Sequence, residues 1–254
     1  MKPGILYLIP ASLASPKAKA AHLDHVIPAE VKTVTAGLAY FIAENAKSAR
    51  AHLTEVSRTC ELKWPLQKIR FAELNVKRGK DALLALLEPI LAGTDGGLIS
   101  QAGVPVVADP GSELIQMAHD LGITVIPLVG PSSILLALMG SGLGGQNFSF
   151  NGYLPIRPAD RARQIRFFES RSRAEKQTQI FIETPYRNQA LLEALCEGLR
   201  DNTRLCVATD LTLPTESIRT QLASQWKDEL AQKKTPDILA RPSIFLFSAA
   251  QKKS

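Results

Sequence analysis

Short apolar runs recur along the chain, separated by helical stretches. Ile5–Leu6–Tyr7–Leu8–Ile9 stops at Pro10. Gly97–Leu98–Ile99–Ser100 runs into a loop rich in Gly and Pro. Ile123–Thr124–Val125–Ile126–Pro127–Leu128–Val129 ends at Gly130–Pro131. Gln179–Ile180–Phe181–Ile182, Leu205–Cys206–Val207–Ala208 and Ile244–Phe245–Leu246–Phe247 follow. These runs lack a period of two. That pattern predicts strands covered on both faces, as in parallel or mixed sheets with helical crossovers.

Helical patterns lie between the runs. Residues 81–91 carry Leu83, Leu84, Leu86 and Leu87, with Pro89 expected to bend the helix. Residues 112–120 follow Pro110–Gly111, with Ser112 placed to cap and Gly122 to stop the helix. Residues 188–199 present Leu191, Leu192 and Leu195 on one face. Alternating strands and helices predict an α/β fold. A seam is expected at residues 128–131, dividing the chain into α/β domains 1–128 and 129–254, with a new helix starting at Ser132 or Ser133.

Composition narrows the class. Apolar residues make up 45% of the 254, enough for a core, which excludes disorder as the main state. The longest nearly unbroken apolar stretch, residues 134–139, is far short of the ~20 residues of a membrane span. The run at residues 5–9 is also shorter than a secretory core of about 7–15 residues. Cys60, Cys196 and Cys206 form no C-x-x-C and no even framework, so a reduced, cytoplasmic setting without a metal is expected. The tail 251–254 is expected to fray. Net charge is +6, which suits a polyanionic partner or a soluble surface. Its location decides more: residues 156–176 hold Arg157, Arg161, Arg163, Arg166, Arg171, Arg173 and Lys176 against Asp160, Glu169 and Glu175. A solvated helix face and an RNA-phosphate contact both explain this surplus. Ile165 and Phe168 are expected to anchor that helix.

In open α/β sheets, ligands bind beyond the carboxyl ends of the strands. The loop Ser100–Gln101–Ala102–Gly103–Val104–Pro105–Val106–Val107–Ala108–Asp109–Pro110–Gly111 is the richest such segment. Gly103 removes bulk where a ligand or a second backbone comes close, and Pro105 and Pro110 stiffen the walls. Gly130–Pro131–Ser132–Ser133 offers small hydroxyls and bare amides at a helix start. Neither G-x-G-x-x-G nor G-x-x-x-x-G-K-[ST] occurs, which disfavours a Rossmann dinucleotide site and a P-loop. G-x-S-x-G and H-E-x-x-H are absent too.

Together with Ile99, that loop resembles the signature of the tetrapyrrole methylase superfamily. It is most similar to the branch of ribosomal RNA small subunit methyltransferase I, a cytidine 2′-O-methyltransferase. Supporting segments occur in order: Leu6–Tyr7–Leu8–Ile9–Pro10, Phe41–Ile42–Ala43–Glu44–Asn45, Val125 through Ser133, Gly152–Tyr153–Leu154–Pro155, Glu183–Thr184–Pro185–Tyr186–Arg187 and Ala208–Thr209–Asp210–Leu211–Thr212. The resemblance implies two α/β domains with mixed sheets, S-adenosyl-L-methionine in a cleft between them, and a homodimer. It implies a cofactor wall of Pro10, Ala102, Gly103, Val104, Pro105 and Asp109, with Ser132 and Ser133 at the seam. Asp210, Leu211, Pro242, Ser243 and Ile244 would close it. Two segments depart from the branch pattern. Pro10–Ala11–Ser12–Leu13–Ala14–Ser15–Pro16 lacks a Gly-Asn pair, and an acidic pair has become Glu44–Asn45.

Methyl transfer from a sulfonium is an in-line displacement from an already activated donor, so a protein mainly positions and desolvates. A hydroxyl acceptor profits from a general base. Glu44, Arg50 and Asp109 are the expected catalytic residues. Arg161, Arg163 and Arg166 are expected to hold RNA, and Tyr186 and Arg187 to stack on and clamp a planar acceptor. The leading expectation is 2′-O-methylation of small-subunit ribosomal RNA. Methylation of a tetrapyrrole or other small acceptor, and cofactor binding without turnover, stay open.

Overall fold

The computed structural model describes residues 2–14, 23–74, 79–234, 237–238 and 241–250. Ser15 and Pro16 of the first loop, and the tail 251–254, lie outside the described residues. The chain forms two units, Met1–Ser132 and Ser133–Ser254. The division falls after Ser132 rather than after Leu128.

The first unit is built on β1 (Ile5–Ile9), β2 (Tyr40–Ala43), β3 (Arg70–Glu73), β4 (Gly96–Ile99) and β5 (Thr124–Pro127), in the order β3-β2-β4-β1-β5. Every pairing in it is parallel. This differs from the mixed pairing expected of both sheets, because here each connection carries a helix. Those helices are α1 (Leu23–Val26), α2 (Ala29–Gly37), α3 (Ala46–Val56), α4 (Gly79–Leu91) and α5 (Ser112–Asp120). A helical crossover returns the chain to the same end of the sheet, so strands stay parallel. The buried strands β2 and β4 have no exposed residue, while the edge strands β3 and β5 are exposed at both ends. Consequently all five strands release their loops at one edge.

Pro89 is accommodated inside α4, which ends two residues later. Ser112 is the first residue of α5 and not its cap: Gly111 takes that place, at φ 139°, without a side-chain bond. Gly122 sits at φ 71° and donates to His119 O at 3.0 Å, closing the helix as expected.

The second unit has α6 (Ser133–Ser141), β6 (Phe148–Phe150), α7 (Pro158–Glu175), β7 (Thr178–Ile182), α8 (Asn188–Gly198), β8 (Arg204–Thr209), β9 (Ser217–Leu222), α9 (Ala223–Ala231) and β10 (Ser243–Ser248). Its sheet runs β6-β7-β10-β8-β9. This sheet is mixed: β6 and β7 are parallel, and β10 is antiparallel to both β7 and β8. The start of β10 therefore lies beside the ends of β7 and β8. Ile165 is fully buried and Phe168 packs edge-on against Phe181 at 5.2 Å, so α7 is anchored by those two residues. Trp226 is also fully buried in this core and donates its indole N–H to Leu205 O at 2.9 Å.

Candidate functional site

Three loops meet at the carboxyl edge of the parallel sheet. After β1, Ala11 exchanges two backbone hydrogen bonds with Gly103 of the β4 loop: Ala11 N donates to Gly103 O at 2.8 Å, and Gly103 N to Ala11 O at 3.1 Å. Gly103 holds φ 71°, a conformation that L side chains adopt at a cost. A Cβ there would stand 3.2 Å from Leu13 Cδ2 and 3.5 Å from Pro131 O. At Gly130 of the β5 loop, a Cβ would run into the Pro10 ring. The two glycines thus let the loops pack on one another, which is the second-backbone role open to Gly103 in the sequence. Pro10, Gly103 and Pro105 are buried, Val104 is half-buried and Ala102 is exposed. Beyond them the loop is bent through Val106 at φ 73° and Ala108 at φ 64°. For a β-branched residue that conformation is strained, and such strain clusters at functional sites.

Asp109 follows the strained residues. Burial raises its carboxyl pKa from the ordinary carboxylate range, and the charge of Glu44 raises it further; a hydrogen bond from Ser100 opposes them. Glu44 leaves β2 at the same edge, so two strand-end loops bring two carboxylates into electrostatic reach. Asn45 caps α3: its Oδ1 accepts the Ser48 N–H at 3.0 Å. That explains how an amide serves beside Glu44, since an N-cap needs an acceptor and not a charge. Glu73 at the end of β3 accepts from Ala46 N at 3.2 Å and satisfies a second helix-start donor. Arg50 is not part of this pair. Its guanidinium lies 5.0 Å from the centroid of the Phe71 ring, and Phe71 stacks on Phe41 at 5.6 Å. Among the described residues Arg50 makes no ion pair with Glu44.

In the second unit the mixed sheet gathers a separate set at one edge. Asp210 N donates to Pro242 O at 2.9 Å, with Ser243 in register with Thr209. Asp210 holds φ 50° and Thr212 φ 72°. The Asp210 carboxylate is already engaged: Arg241 Nε and the Thr215 hydroxyl donate to Oδ2 at 2.9 and 2.7 Å. Leu211, Ser243 and Ile244 are buried, whereas Pro242 is exposed. Asn188, fully buried at the start of α8, donates to Ile238 O at 2.9 Å and Arg241 O at 2.8 Å. Sequence reading missed Asn188, Arg241 and Ser100. Their partners lie far along the chain or across a loop, and no local spacing announces them.

At the end of β7, Glu183 is buried with its Oε2 2.9 Å from Arg187 Nη2. Its other oxygen accepts the Thr184 N–H at 2.7 Å. Arg187 thus forms an ion pair with Glu183 by distance, although among the described residues neither Glu183 Oε2 nor Arg187 Nη2 makes a hydrogen bond. Tyr186 beside it is 76% exposed. Tyr153 and Ile156, after β6, are exposed too, and Ile182 N bonds Gly152 O at 3.0 Å, which joins the two strand ends. On α7, Arg163 pairs with Asp160 at 2.7 Å, Arg161 is half-buried, and Arg166 is exposed. Ser132 and Ser133 are half-buried where the two units join in sequence. Among the described residues no group of three His, Cys, Asp or Glu is placed to hold a metal, and no helix is long and apolar enough to cross a membrane.

No family model matches the chain. Ribosomal RNA small subunit methyltransferase I of Mesorhizobium japonicum is 34% identical over 185 residues, covering 72% of this chain and 60% of that protein. The protein of that name from Bacillus subtilis is 28% identical over 209 residues, covering 82% of this chain and 64% of that one. The chain thus spans less than two thirds of these relatives. Among solved structures, the methyltransferase CobJ matches at TM-score 0.60 and 15% identity, over 97% of this chain and 95% of that one. Uroporphyrin-III C-methyltransferase from Thermus thermophilus, complexed with S-adenosyl homocysteine, matches at TM-score 0.53 and 15% identity over 96% and 97%. By sequence the chain is similar to ribosomal RNA small subunit methyltransferase I over most of its length, and its fold is similar to that of the methyltransferase CobJ.

Proposed function

We propose that this chain transfers a methyl group from S-adenosyl-L-methionine to a ribose 2′-hydroxyl of small-subunit ribosomal RNA, as a cytoplasmic homodimer. The observation that carries the reading is the packed meeting of Ala11, Gly103 and Gly130 at the edge where parallel α/β sheets bind ligands. The names of the relatives support the chemistry. The cofactor supplies an activated methyl on a sulfonium when bound, so the residues present need neither a nucleophile nor a metal. In the first unit Ala102, Val104 and the bent 106–109 segment would hold it. Asp109 accepts the proton of the attacking hydroxyl, because its raised pKa makes it a better base than an ordinary carboxylate. Glu44 keeps that pKa raised. Tyr186, Tyr153 and the α7 arginines present aromatic faces and cations suited to RNA.

Labelled cofactor incubated in parallel with unmodified ribosomal RNA, total RNA and tetrapyrrole precursors tests the reading. Label in ribosomal RNA alone is the expected result. Label only in a tetrapyrrole, or in nothing although the cofactor binds, would replace the RNA reading with one of its two alternatives.

A further inference from the structure

We propose that the open groove formed by residues 57–66 of the first unit is a docking site for single-stranded RNA, in which Trp64 stacks on a base and Lys63 holds the neighbouring phosphate. The inference rests on RNA being the substrate class, but the groove lies outside the strand-end loops of the candidate cofactor site.

The groove has a volume of about 620 Å³ and opens widely to solvent. Its outer wall carries Trp64, 40% exposed, whereas the chain's other tryptophan, Trp226, is fully buried. An exposed tryptophan leaves a large apolar face in water, and stacking on a base removes it. Lys63 Nζ stands over one face of the Trp64 ring, 6.0 Å from its centroid, which leaves the opposite face for a base. Along residues 57–70 the charges are Arg58, Lys63, Lys68 and Arg70 against Glu61 alone, all exposed. Arg58 is partly spent on Glu55 at 3.1 Å, and Arg70 stacks on Tyr40 at 5.4 Å. Lys63 lies over the Trp64 ring itself, and Lys68 adds an exposed positive charge two residues beyond the groove.

The platform is rigid. Leu62 and Cys60 pack against the buried cluster of Leu23, Ile27, Val31 and Val56. Lys63 N donates to Ala36 O at 2.9 Å, and the Thr59 hydroxyl to Asp24 at 3.1 Å. Pro65 restricts the backbone of Trp64 to extended geometry. A pre-ordered aromatic face costs little entropy on binding. The wide opening suits a strand passing over it better than an enclosed small molecule. An A-form duplex hides its bases, so the partner is single-stranded.

Having two tryptophans in contrasting settings gives a direct test. A single-stranded RNA oligonucleotide of mixed sequence is titrated into the full chain while tryptophan emission is followed. Quenching of the exposed component is expected, and Trp64→Phe should remove it and leave the Trp226 emission. Trp64→Ala should weaken RNA binding at least about fivefold. Lys63→Gln should lower the log–log salt slope by about 0.7. S-adenosylhomocysteine affinity should not change in any of the three. Unquenched Trp64 with full RNA affinity in Trp64→Ala would overturn the groove and leave the RNA reading standing. Equal quenching by an acidic peptide would overturn it in favour of a protein partner. A wild-type chain that binds no RNA at low salt would overturn both inferences.

Discussion

Arg241 Nε donates to Asp210 Oδ2 at 2.9 Å, and Arg241 Nη2 to Thr215 O at 2.7 Å. One guanidinium thereby ties the segment before β10 to the turn between β8 and β9. Asp210 is 8% exposed and at φ 50°, so the clamp holds a strained, buried carboxylate. Arg241→Met should therefore cost about 2–4 kcal/mol, since it leaves a buried charge facing one hydroxyl. Urea unfolding of the two proteins measures this. A loss under ~0.5 kcal/mol would mean that the clamp is solvated and contributes nothing.

Glu183 and Arg187 make a second such test, with opposite logic for single and double changes. Arg187→Met leaves the fully buried Glu183 carboxylate without its partner and should cost about 3 kcal/mol. Adding Glu183→Leu removes the stranded charge, so the double variant should recover part of that loss. A double variant no more stable than Arg187→Met would show that the two side chains act independently.

Gly103 and Ala102 are neighbours with different duties. Gly103→Val places a β-branched side chain at φ 71° and 3.2 Å from Leu13, which should cost about 2 kcal/mol and loosen the junction with Ala11. Ala102 is exposed on the same loop, so Ala102→Leu should keep the fold. It should weaken S-adenosylhomocysteine about tenfold by calorimetry. Equal affinity in Ala102→Leu would remove this residue from the proposed cofactor wall.

Asp109 predicts a pH-dependent gain. Its carboxyl pKa is raised in the folded chain from 3.8, so between the two values the folded state binds more protons than the unfolded one. Stability from that difference is present at low pH and is lost as pH rises through the folded value. Asp109→Asn should thus raise Tm at pH 7 and give no gain near pH 3.5, while lowering methyl transfer. Thermal scans across that range check the sign; a lower Tm at pH 7 would mean that the carboxylate is stabilised where it stands.

The sequence was most legible where one element decides its own form. The apolar run 5–9 became β1 with the same ends, and residues 112–120 became α5. The strands β3 and β9 were not legible. Arg70–Glu73 is an edge strand, and Ser217–Leu222 is half-buried along its whole length, so neither carries an apolar run. At the site, the Gly103 loop was visible because glycine and proline mark backbone demands locally. The pairing of Asp210 with Arg241, the seat of Asn188 and the Arg50–Phe71 stack depend on strand register and long closures. Residue types alone leave those partners undetermined. Arg187 shows the same limit: an exposed clamp and a buried ion pair read alike until Glu183 is seen to be buried.

The α7 arginines separate an RNA substrate from a small acceptor. Ile165 and Phe168 fix one face of the helix to the core, leaving Arg163 and Arg166 on the exposed side. Arg163 already pairs with Asp160 at 2.7 Å on the surface, a bond worth at most ~1 kcal/mol that a phosphate can displace. Changing Arg161, Arg163 and Arg166 together to Gln should weaken RNA binding and flatten its salt dependence. Every phosphate left without its cation lowers the log–log slope by about 0.7 for a single strand. Arg161 is half-buried, so the full fall should match two phosphates more closely than three. Cofactor binding should hold, because these residues lie on a helix and not in the strand-end loops. RNA affinity of both proteins at two salt concentrations gives the answer. Unchanged affinity with a flat salt response would move RNA off this helix and favour a small acceptor held near Tyr186.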